Sequence, residues 1–263
     1  MRRCLTIAGS DSGGGAGIQA DLKTFAAFGV FGTTAITAVT AQNTVEVTGL
    51  VEIPPDLVVA QIDAVAGDIG IDAAKTGMLS SGAIVLAVAD AVAHHRIPNL
   101  VVDPVMVAKS GARLLRADAI EALRERLLPL AEIVTPNLPE AGVLAGIELK
   151  NEKGMREAAR LIHALGPRAV VIKGGHLEGP DVVDLYYDGR CFEELRGERI
   201  DSWSTHGTGC TFAAALASGL ALGSRPLDAV RRAKDYVAGA IRAAPRLGRG
   251  AGPLNHFHNL RRE

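Results

Sequence analysis

Short apolar runs alternate along the whole chain with stretches whose apolar residues recur at helical spacing. The first run, residues 5–8, ends in a glycine-rich loop, and residues 18–28 follow with one apolar face. This alternation of strand and helix predicts a mainly parallel sheet with helices on both faces. No internal repeat or linker-like segment interrupts it. We therefore expect a doubly wound α/β fold that occupies residues 1–263 as a single domain.

The remaining elements are predicted from the same two periodicities. Further strands are expected within residues 33–41, 73–78, 100–106, 133–137 and 169–175. Helices are expected at about 54–67, 82–93, 117–128, 138–145, 152–165 and 227–244. Residues 44–53 alternate polar and apolar side chains, which is typical of a half-exposed strand or flap. Residues 182–187 and 191–195 flank an Asp-Gly turn and predict a hairpin, whereas the glycine-rich tail, 249–258, should pack without regular structure.

Polar residues stand at the ends of several predicted strands. They are Asp11, Gln42, Lys75, Asp103, Asn137 and Lys173. One such residue could be a local cap, but the carboxyl ends of parallel strands meet at one edge of a sheet. Ligands of open α/β sheets bind at that edge. The sequence therefore predicts a binding site there.

A glycine-opened turn, residues 204–210, runs directly into an apolar helix. Gly207 and Gly209 permit backbone angles and a close approach that a Cβ would prevent. The first amides of a helix lack intrahelical acceptors and can bind a phosphate or an oxyanion. Cys210 falls at the start of this helix, where a thiol pKa tends to be lowered. The alternative is an ordinary glycine-bounded helix start with a buried cysteine.

Composition argues against several other classes of protein. The net charge of -1 offers no basic surface for nucleic acid or for an anionic membrane. The three cysteines lack CxxC spacing, which argues for a reducing compartment and against structural zinc. The uncharged windows at residues 25–45 and 202–224 are rich in Gly, Thr and Ser and are interpreted as buried core. The first apolar stretch is shorter than a signal-peptide core, so we expect a cytoplasmic protein. Neither GxGxxG nor GxxxxGK[ST] occurs.

The motifs together resemble the hydroxymethylpyrimidine/phosphomethylpyrimidine kinases of thiamine biosynthesis, members of the ribokinase-like superfamily. The resembling segments follow one another along nearly the whole chain, at residues 5–11, 14–25, 41–43, 75–79, 102–106, 135–141, 173–176, 206–211 and 252–258. The resemblance implies a ribokinase-like fold with a small flap or hairpin addition. It also implies phosphorylation of 4-amino-5-hydroxymethyl-2-methylpyrimidine, and then of its monophosphate, with ATP and Mg²⁺ as cofactors.

The resemblance gives roles to the residues that would handle phosphate. The amides of residues 207–210 (Gly207, Thr208, Gly209 and Cys210) would hold the transferred phosphoryl group, and Lys173 would contact nucleotide phosphate. Phosphoryl transfer depends mostly on such positioning and charge stabilisation. Sugar kinases of the superfamily place Asp where Cys210 stands, so the base stays open between a Cys210 thiolate and late proton loss. The second phosphorylation starts from an ionised phosphate and needs no base.

A magnesium site is expected at Asn137 and Glu140, whose oxygen donors are three residues apart, with Asp103 joining through a water. The alternative, which does not exclude the first, is that Asn137 caps a helix with Glu140 as its capping-box partner.

For the pyrimidine, the resemblance points to Gly9, Asp21, Gln42, Met78 and Val105. The amide of Gln42 offers a donor and an acceptor that can pair with an aminopyrimidine edge. Met78 and Val105 would contact the ring, although both are equally suited to plain core.

Two other functions stay open at this stage. The first is a pyridoxal or pyridoxine kinase, which would catalyse the same reaction on a different ring. The second is a regulatory protein that binds the pyrimidine without turnover; the phosphate and magnesium residues argue against it. The expected partners are a small pyrimidine and ATP, with no nucleic acid or membrane. The flap at residues 44–53 also makes a homodimer plausible.

Overall fold

The computed structural model describes residues 1–106, 116–149, 151–175, 179 and 181–260. Within them one sheet has nine strands: β1 (Arg3–Asp11), β2 (Phe31–Gln42), β3 (Val47–Glu52), β4 (Ala73–Thr76), β5 (Leu100–Val102), β6 (Ile133–Val134), β7 (Ala169–Ile172), β8 (Asp181–Tyr187) and β9 (Phe192–Glu198). Their order across the sheet is β3-β2-β1-β4-β5-β6-β7-β8-β9. The six strands from β2 to β7 in this order run parallel, and β3, β8 and β9 are antiparallel additions at the two edges.

Helices cover both faces of the sheet. They are α1 (Gly17–Ala27), α2 (Pro55–Ala64), α3 (Gly82–His94), α4 (Ala117–Ala122), α5 (Leu138–Ala145), α6 (Glu152–His163), α7 (Thr208–Ala221) and α8 (Pro226–Arg242). Buried side chains of α2 to α6 form one apolar cluster with the sheet, and those of α1, α7 and α8 form a second. Strand β1 contributes to both clusters, because successive side chains of a strand point to opposite faces.

The winding of the chain changes direction between β1 and β4. The connection from β1 to β2 passes through α1 on one face, and the connection to β4 returns through α2 on the other face. The loops that follow β1 and β4, which are neighbours in the sheet, therefore lead to opposite faces. The crevice between such loops is where open α/β sheets bind ligands. The predicted α/β fold class is confirmed.

Several predicted boundaries shift. The helix expected at residues 54–67 is regular only to Ala64 and continues as a wider turn over Val65–Ile69, closed by Gly70 at a φ of 79°. The helix expected at 117–128 likewise widens over Leu123–Leu127. The second strand of the predicted hairpin runs three residues further than expected, to Glu198, because its pairing with β8 continues to Asp181.

The predicted flap forms β3, the antiparallel edge strand. Its side chains Leu50 and Val51 are 41% and 68% exposed. The tail expected at 249–258 packs on the body, since the amide of Asn255 donates to Ala240 O and that of Gly250 to Thr44 Oγ1. Across the ranges given above, no helix combines the length and apolarity needed to span a bilayer. His176, which belongs to one of the quoted motifs, lies outside the described residues.

Candidate functional site

The carboxyl edge of the sheet gathers all six polar strand-end residues around one cavity of about 1160 Å³. They are Asp11, Gln42, Lys75, Asp103, Asn137 and Lys173. Residues 207–210 line the same cavity, although their turn lies far along the chain from most of these strands. The site predicted from strand ends and from the glycine turn is therefore a single site.

The turn before α7 leaves helix amides at the cavity wall. Gly207 precedes the helix with a φ of 80°, and a Cβ there would meet Gly15 O at 1.8 Å. The amide of Thr211 donates back to Gly207 O at 2.8 Å, so the amides of Gly209 and Cys210 begin the helix without intrahelical acceptors. This arrangement can hold an anion.

Gly209 differs from the prediction made for it. It lies within the helix, so it does not need a left-handed backbone. A Cβ at Gly209 would instead lie 3.2 Å from Lys173 Nζ and 3.5 Å from Asp103 Oδ2. The glycine therefore keeps open the space between the helix amides and the side chains of Lys173 and Asp103. A phosphoryl group in that space could be held by the amides and by Lys173.

The predicted lowering of the Cys210 thiol pKa is wrong. Burial raises the pKa of Cys210 to about 11, even though the charge of Lys75 acts to lower it. Loss of water around a thiolate thus outweighs the favourable end of the helix. Cys210 stands at the cavity wall as a neutral thiol at pH 7.

Lys173 and Asp103 form an ion pair at the cavity. Lys173 Nζ donates to Asp103 Oδ1 at 2.9 Å, and Asp103 Oδ1 also lies 3.3 Å from the hydroxyl of Thr135. Burial acts to lower the pKa of Lys173, but Asp103 and Glu140 outweigh burial and raise it. The ammonium group is therefore charged and lies where it can meet a phosphate.

Asn137 and Glu140 form the capping box that was the alternative interpretation. Glu140 N donates to Asn137 Oδ1 at 2.9 Å, and Asn137 N donates to Glu140 Oε2 at 2.8 Å. Burial, together with the charge of Asp103, raises the pKa of Glu140 to about 7, against the pull of Lys173. The capping role is confirmed, and it leaves Glu140 on the cavity wall.

The oxygen donors here fit a magnesium ion that keeps most of its waters. Within the described part of the chain, no three His, Cys, Asp or Glu side chains are close enough to hold a metal ion by themselves. Mg²⁺ in kinase sites needs only one or two carboxylates besides waters and phosphates. Asp103 and Glu140 supply two, and a bound cation would offset both the burial and the charge of Asp103 that raise the pKa of Glu140. The oxygen of Asn137 accepts the capping hydrogen bond and retains a second lone pair, so its contact with magnesium stays a prediction.

Four of the five residues expected to contact a pyrimidine line the cavity. They are Gly9, Gln42, Met78 and Val105. A Cβ at Gly9 would lie 2.4 Å from Met78 Cε, so Gly9 makes room for the methionine. Gln42 is partly exposed at the end of β2, where its amide can meet a ligand.

Asp21 does not reach the cavity wall, contrary to the contact that the resemblance implies. Its side chain is fully buried on α1, 3.0 Å from Lys75 Nζ and 2.6 Å from the hydroxyl of Thr6. Burial raises the pKa of Asp21 against the pull of Lys75. Burial acts to lower the pKa of Lys75, but the negative charges around it, chiefly that of Asp21, raise this pKa above its ordinary value. The position of Asp21 allows a role through Lys75, which does line the cavity.

His206 is a site residue that the sequence reasoning left without a role. Its Nε2 lies 2.9 Å from Asp11 Oδ2 and 3.3 Å from Gln42 Nε2. The signal available in the sequence was its position next to Gly207, at the start of the anion-binding turn. His206 lines the cavity together with the turn.

Comparison with known proteins is decisive about the family. The model of the phosphomethylpyrimidine kinase family matches residues 11–255. The chain belongs to this family. The resemblance noted from the sequence motifs is thereby confirmed, and this phosphomethylpyrimidine kinase family member contains the site just described.

Close relatives of this family member carry related names. A bifunctional thiamine biosynthesis protein of Geobacter sulfurreducens is 54% identical over 253 residues, which cover 96% of this chain and 52% of that protein. The chain thus spans about half the length of that relative. A hydroxymethylpyrimidine/phosphomethylpyrimidine kinase of Streptomyces coelicolor is 53% identical over 252 residues, which cover 96% of this chain and 93% of the relative.

The fold of this family member is also that of a pyridoxal kinase. The structure of Bacillus subtilis pyridoxal kinase in complex with ADP superposes with a TM-score of 0.93 at 44% identity, over 99% of this chain and 100% of that one. The fold therefore does not distinguish between the two rings as substrates.

Proposed function

We propose that this protein transfers the γ-phosphoryl group of ATP to the hydroxymethyl group of 4-amino-5-hydroxymethyl-2-methylpyrimidine, and then phosphorylates the monophosphate. One observation carries the proposal. The first amides of α7 lie at the same cavity wall as the Lys173–Asp103 ion pair, and the cavity extends to Gln42 and Met78. The family membership and the names of the close relatives support the same reaction.

Each residue of the phosphate end has a task in such a transfer. The amides of residues 207–210 bind the transferred phosphoryl group, and Lys173 stabilises the charge that builds up on it. A magnesium ion, held by Glu140 and through water by Asp103, would supply further charge neutralisation on the nucleotide phosphates. Gly209 keeps the wall open so that the phosphoryl group can reach both the amides and Lys173.

Proton transfer does not need a thiolate in this site. Cys210 is neutral at pH 7 because burial raises its pKa to about 11. The hydroxymethyl proton is then lost late, to water or to an oxygen of the transferred phosphoryl group, after the bond to phosphorus has begun to form. The second phosphorylation starts from a phosphate that is already ionised. Cys210 contributes its backbone amide to anion binding in both steps.

The pyrimidine end supplies recognition. Gln42 offers one acceptor and one donor to the amino group and the adjacent ring nitrogen of the substrate. Met78 and Val105 provide apolar contact to the ring. A homodimer through the exposed β3 edge, a cytoplasmic location and the absence of nucleic-acid and membrane partners stay predictions; the dimer can be tested by analytical ultracentrifugation.

A coupled assay of ADP formation tests the reaction directly. The protein is incubated with ATP and Mg²⁺, with and without hydroxymethylpyrimidine, and the products are identified by mass spectrometry. We expect ADP formation that depends on the pyrimidine, with the monophosphate appearing before the diphosphate. Formation of ADP at the same rate without pyrimidine, or no ADP at all, would contradict the proposal.

Phosphorylation of pyridoxal is the second candidate function. It is favoured by the TM-score of 0.93 and the 44% identity to Bacillus subtilis pyridoxal kinase. Pyridoxal lacks the amino group beside a ring nitrogen, so it leaves part of the Gln42 amide unpaired. We expect kcat/KM for the pyrimidine to exceed that for pyridoxal by at least about tenfold. Comparable kcat/KM values for the two rings would favour phosphorylation of pyridoxal as the function.

A further inference from the structure

A short chain of polar contacts runs along the pyrimidine end of the cavity. His206 Nε2 lies 2.9 Å from Asp11 Oδ2 and 3.3 Å from Gln42 Nε2. At the other side of the amide, Thr40 Oγ1 lies 3.2 Å from Gln42 Oε1 and donates to Ser10 O at 2.9 Å. These distances determine where the protons of the chain lie.

Asp11 can only accept hydrogen bonds. The amides of Gly13, Gly15 and Ala16 donate to its carboxylate at 2.8 to 3.0 Å. Burial acts to raise the pKa of Asp11, but His206 and these amides outweigh it, and the pKa lies below its ordinary value. An ionised carboxylate has no proton to donate, so the hydrogen bond to His206 requires a proton on Nε2 of the imidazole.

The proton on His206 decides which way the Gln42 amide faces. The oxygen and nitrogen of a carboxamide have nearly the same outline, so hydrogen bonding assigns them. If Nε2 of Gln42 faced His206, two N–H groups would oppose each other. The Thr40 hydroxyl would then have to donate to both Gln42 Oε1 and Ser10 O, although it has one proton. If the amide is turned by half a rotation, Gln42 Oε1 shares the single Nε2–H of His206 with Asp11, and Gln42 Nε2 donates to Thr40 Oγ1. No two N–H groups then oppose each other, and the one Thr40 proton stays on Ser10 O.

His206 and Thr40 set this polarity together. Thr40 gives its one proton to Ser10 O and so accepts from the amide, and the imidazole N–H held by Asp11 can only donate. We propose that His206 is a positioning residue that, with Thr40, fixes the orientation of the Gln42 amide and, through it, the orientation of the pyrimidine ring. This inference rests on the proposed function of Gln42 in binding the pyrimidine.

The fixed amide selects one hydrogen-bonding pattern in the ring. Its outer edge presents an acceptor on the His206 side and a donor on the Thr40 side. A 4-amino group beside an unprotonated ring nitrogen matches that edge. A 4-oxo group beside a ring N–H has the reverse pattern, and it fits only if the amide turns over. Discrimination between these two rings therefore reports on the orientation of Gln42.

The experiment compares 4-amino-5-hydroxymethyl-2-methylpyrimidine with its 4-oxo analogue. We expect the unmodified protein to prefer the amino ring in kcat/KM by on the order of 100-fold. His206→Leu releases the amide, so the preference should fall below about tenfold, chiefly through a higher KM for the amino ring. An equal loss of kcat/KM on both rings would overturn the proposal, because a purely structural role for His206 affects both alike.

One further variant and one spectrum complete the test. His206→Gln retains an N–H donor of similar reach and should restore the preference. Failure of His206→Gln to regain any preference would contradict the assignment. If His206→Leu does not fold, the ¹⁵N shifts of the His206 ring in the unmodified protein decide: a proton on Nε2 supports the proposal, and one on Nδ1 alone overturns it. Lack of turnover of the amino ring by the unmodified protein would contradict the proposed function instead, and the same spectrum still tests the orientation.

Discussion

Replacing Asp21 with asparagine would leave Lys75 as an unpaired charge in the interior. Both side chains have no exposed surface, and Lys75 Nζ lies 3.0 and 3.2 Å from the two carboxylate oxygens of Asp21. Asparagine keeps the shape of the site and can still accept a hydrogen bond, so the change removes charge without making a cavity. Exchanging Lys75 for methionine at the same time removes the unpaired charge as well.

The expected magnitudes follow from this burial. Removing one partner of a buried ion pair costs about 3–5 kcal/mol in the free energy of unfolding. For a chain of this length, 1 kcal/mol corresponds to about 2 °C in Tm, so Asp21→Asn should lower Tm by roughly 6–10 °C. Replacing both members of a buried ion pair with neutral groups often changes the free energy of unfolding little. The double variant Asp21→Asn/Lys75→Met should therefore recover most of that loss.

Differential scanning calorimetry without nucleotide or substrate measures these shifts. Asp228→Asn is the matched control, since Asp228 pairs with Arg225 at 2.8 Å but on the surface, where the arginine side chain is 85% exposed. That pair is worth less than about 1 kcal/mol. A shift for Asp21→Asn no larger than for Asp228→Asn would refute the reasoning. A double variant no more stable than the single variant would refute it equally.

Four changes test the site itself. Gly209→Val should lower kcat by about 10²–10³ or more, because the side chain fills the space beside the helix amides, while Tm stays within a few degrees; an unchanged kcat would contradict the anion-binding role. Cys210→Ala should affect both phosphorylations alike and only slightly, since alanine keeps the backbone amide and a thiol with a pKa of about 11 is not the base; a selective loss of the first step would instead favour a thiolate base. The pKa of Glu140, about 7, predicts that the Mg²⁺ concentration for half-maximal rate falls as pH rises through 7, because the carboxyl group ionises. Glu140→Gln should raise that concentration and remove its pH dependence. An unaltered Mg²⁺ requirement would leave Glu140 with the capping role alone. Gln42→Met should reduce kcat/KM for the pyrimidine and narrow its advantage over pyridoxal, whereas an unchanged ratio would exclude Gln42 from specificity.

The order of elements was predictable because it depends on local periodicity. Alternating strand and helix patterns fix a parallel sheet, and a parallel sheet fixes where its strand ends meet. Asp103 and Lys173 were therefore placed at one edge before their contact was known, and the ion pair between them joins residues 70 apart. The same logic applies to the glycine turn at residues 207–210, which reaches this edge at the start of α7.

The depth of a side chain was not predictable from those patterns. Asp21 lies on the face of α1 that packs on the sheet, and its neighbour Lys75 comes from a strand 54 residues away. Cys210 occupies a helix start that favours a thiolate, but burial of its side chain raises the thiol pKa to about 11. The contact between His206 and Asp11 spans 195 residues. Each outcome depends on contacts between distant segments, which a single stretch of sequence does not report.

Lys75 and Lys173 both end a strand at the same edge, yet their surroundings lead to different tasks. Lys75 is matched by one carboxylate, Asp21, in a fully buried pair with no net charge to offer. Lys173 is matched by Asp103 and lies near a second carboxylate, Glu140, whose pKa is raised to about 7 by burial and by the charge of Asp103, against the pull of Lys173. When Glu140 is ionised, two carboxylates face one ammonium group at the cavity that anionic phosphates would enter. Under the proposed function, a divalent cation at Glu140 and Asp103 would offset this charge, while Lys75 serves as a fixed part of the wall.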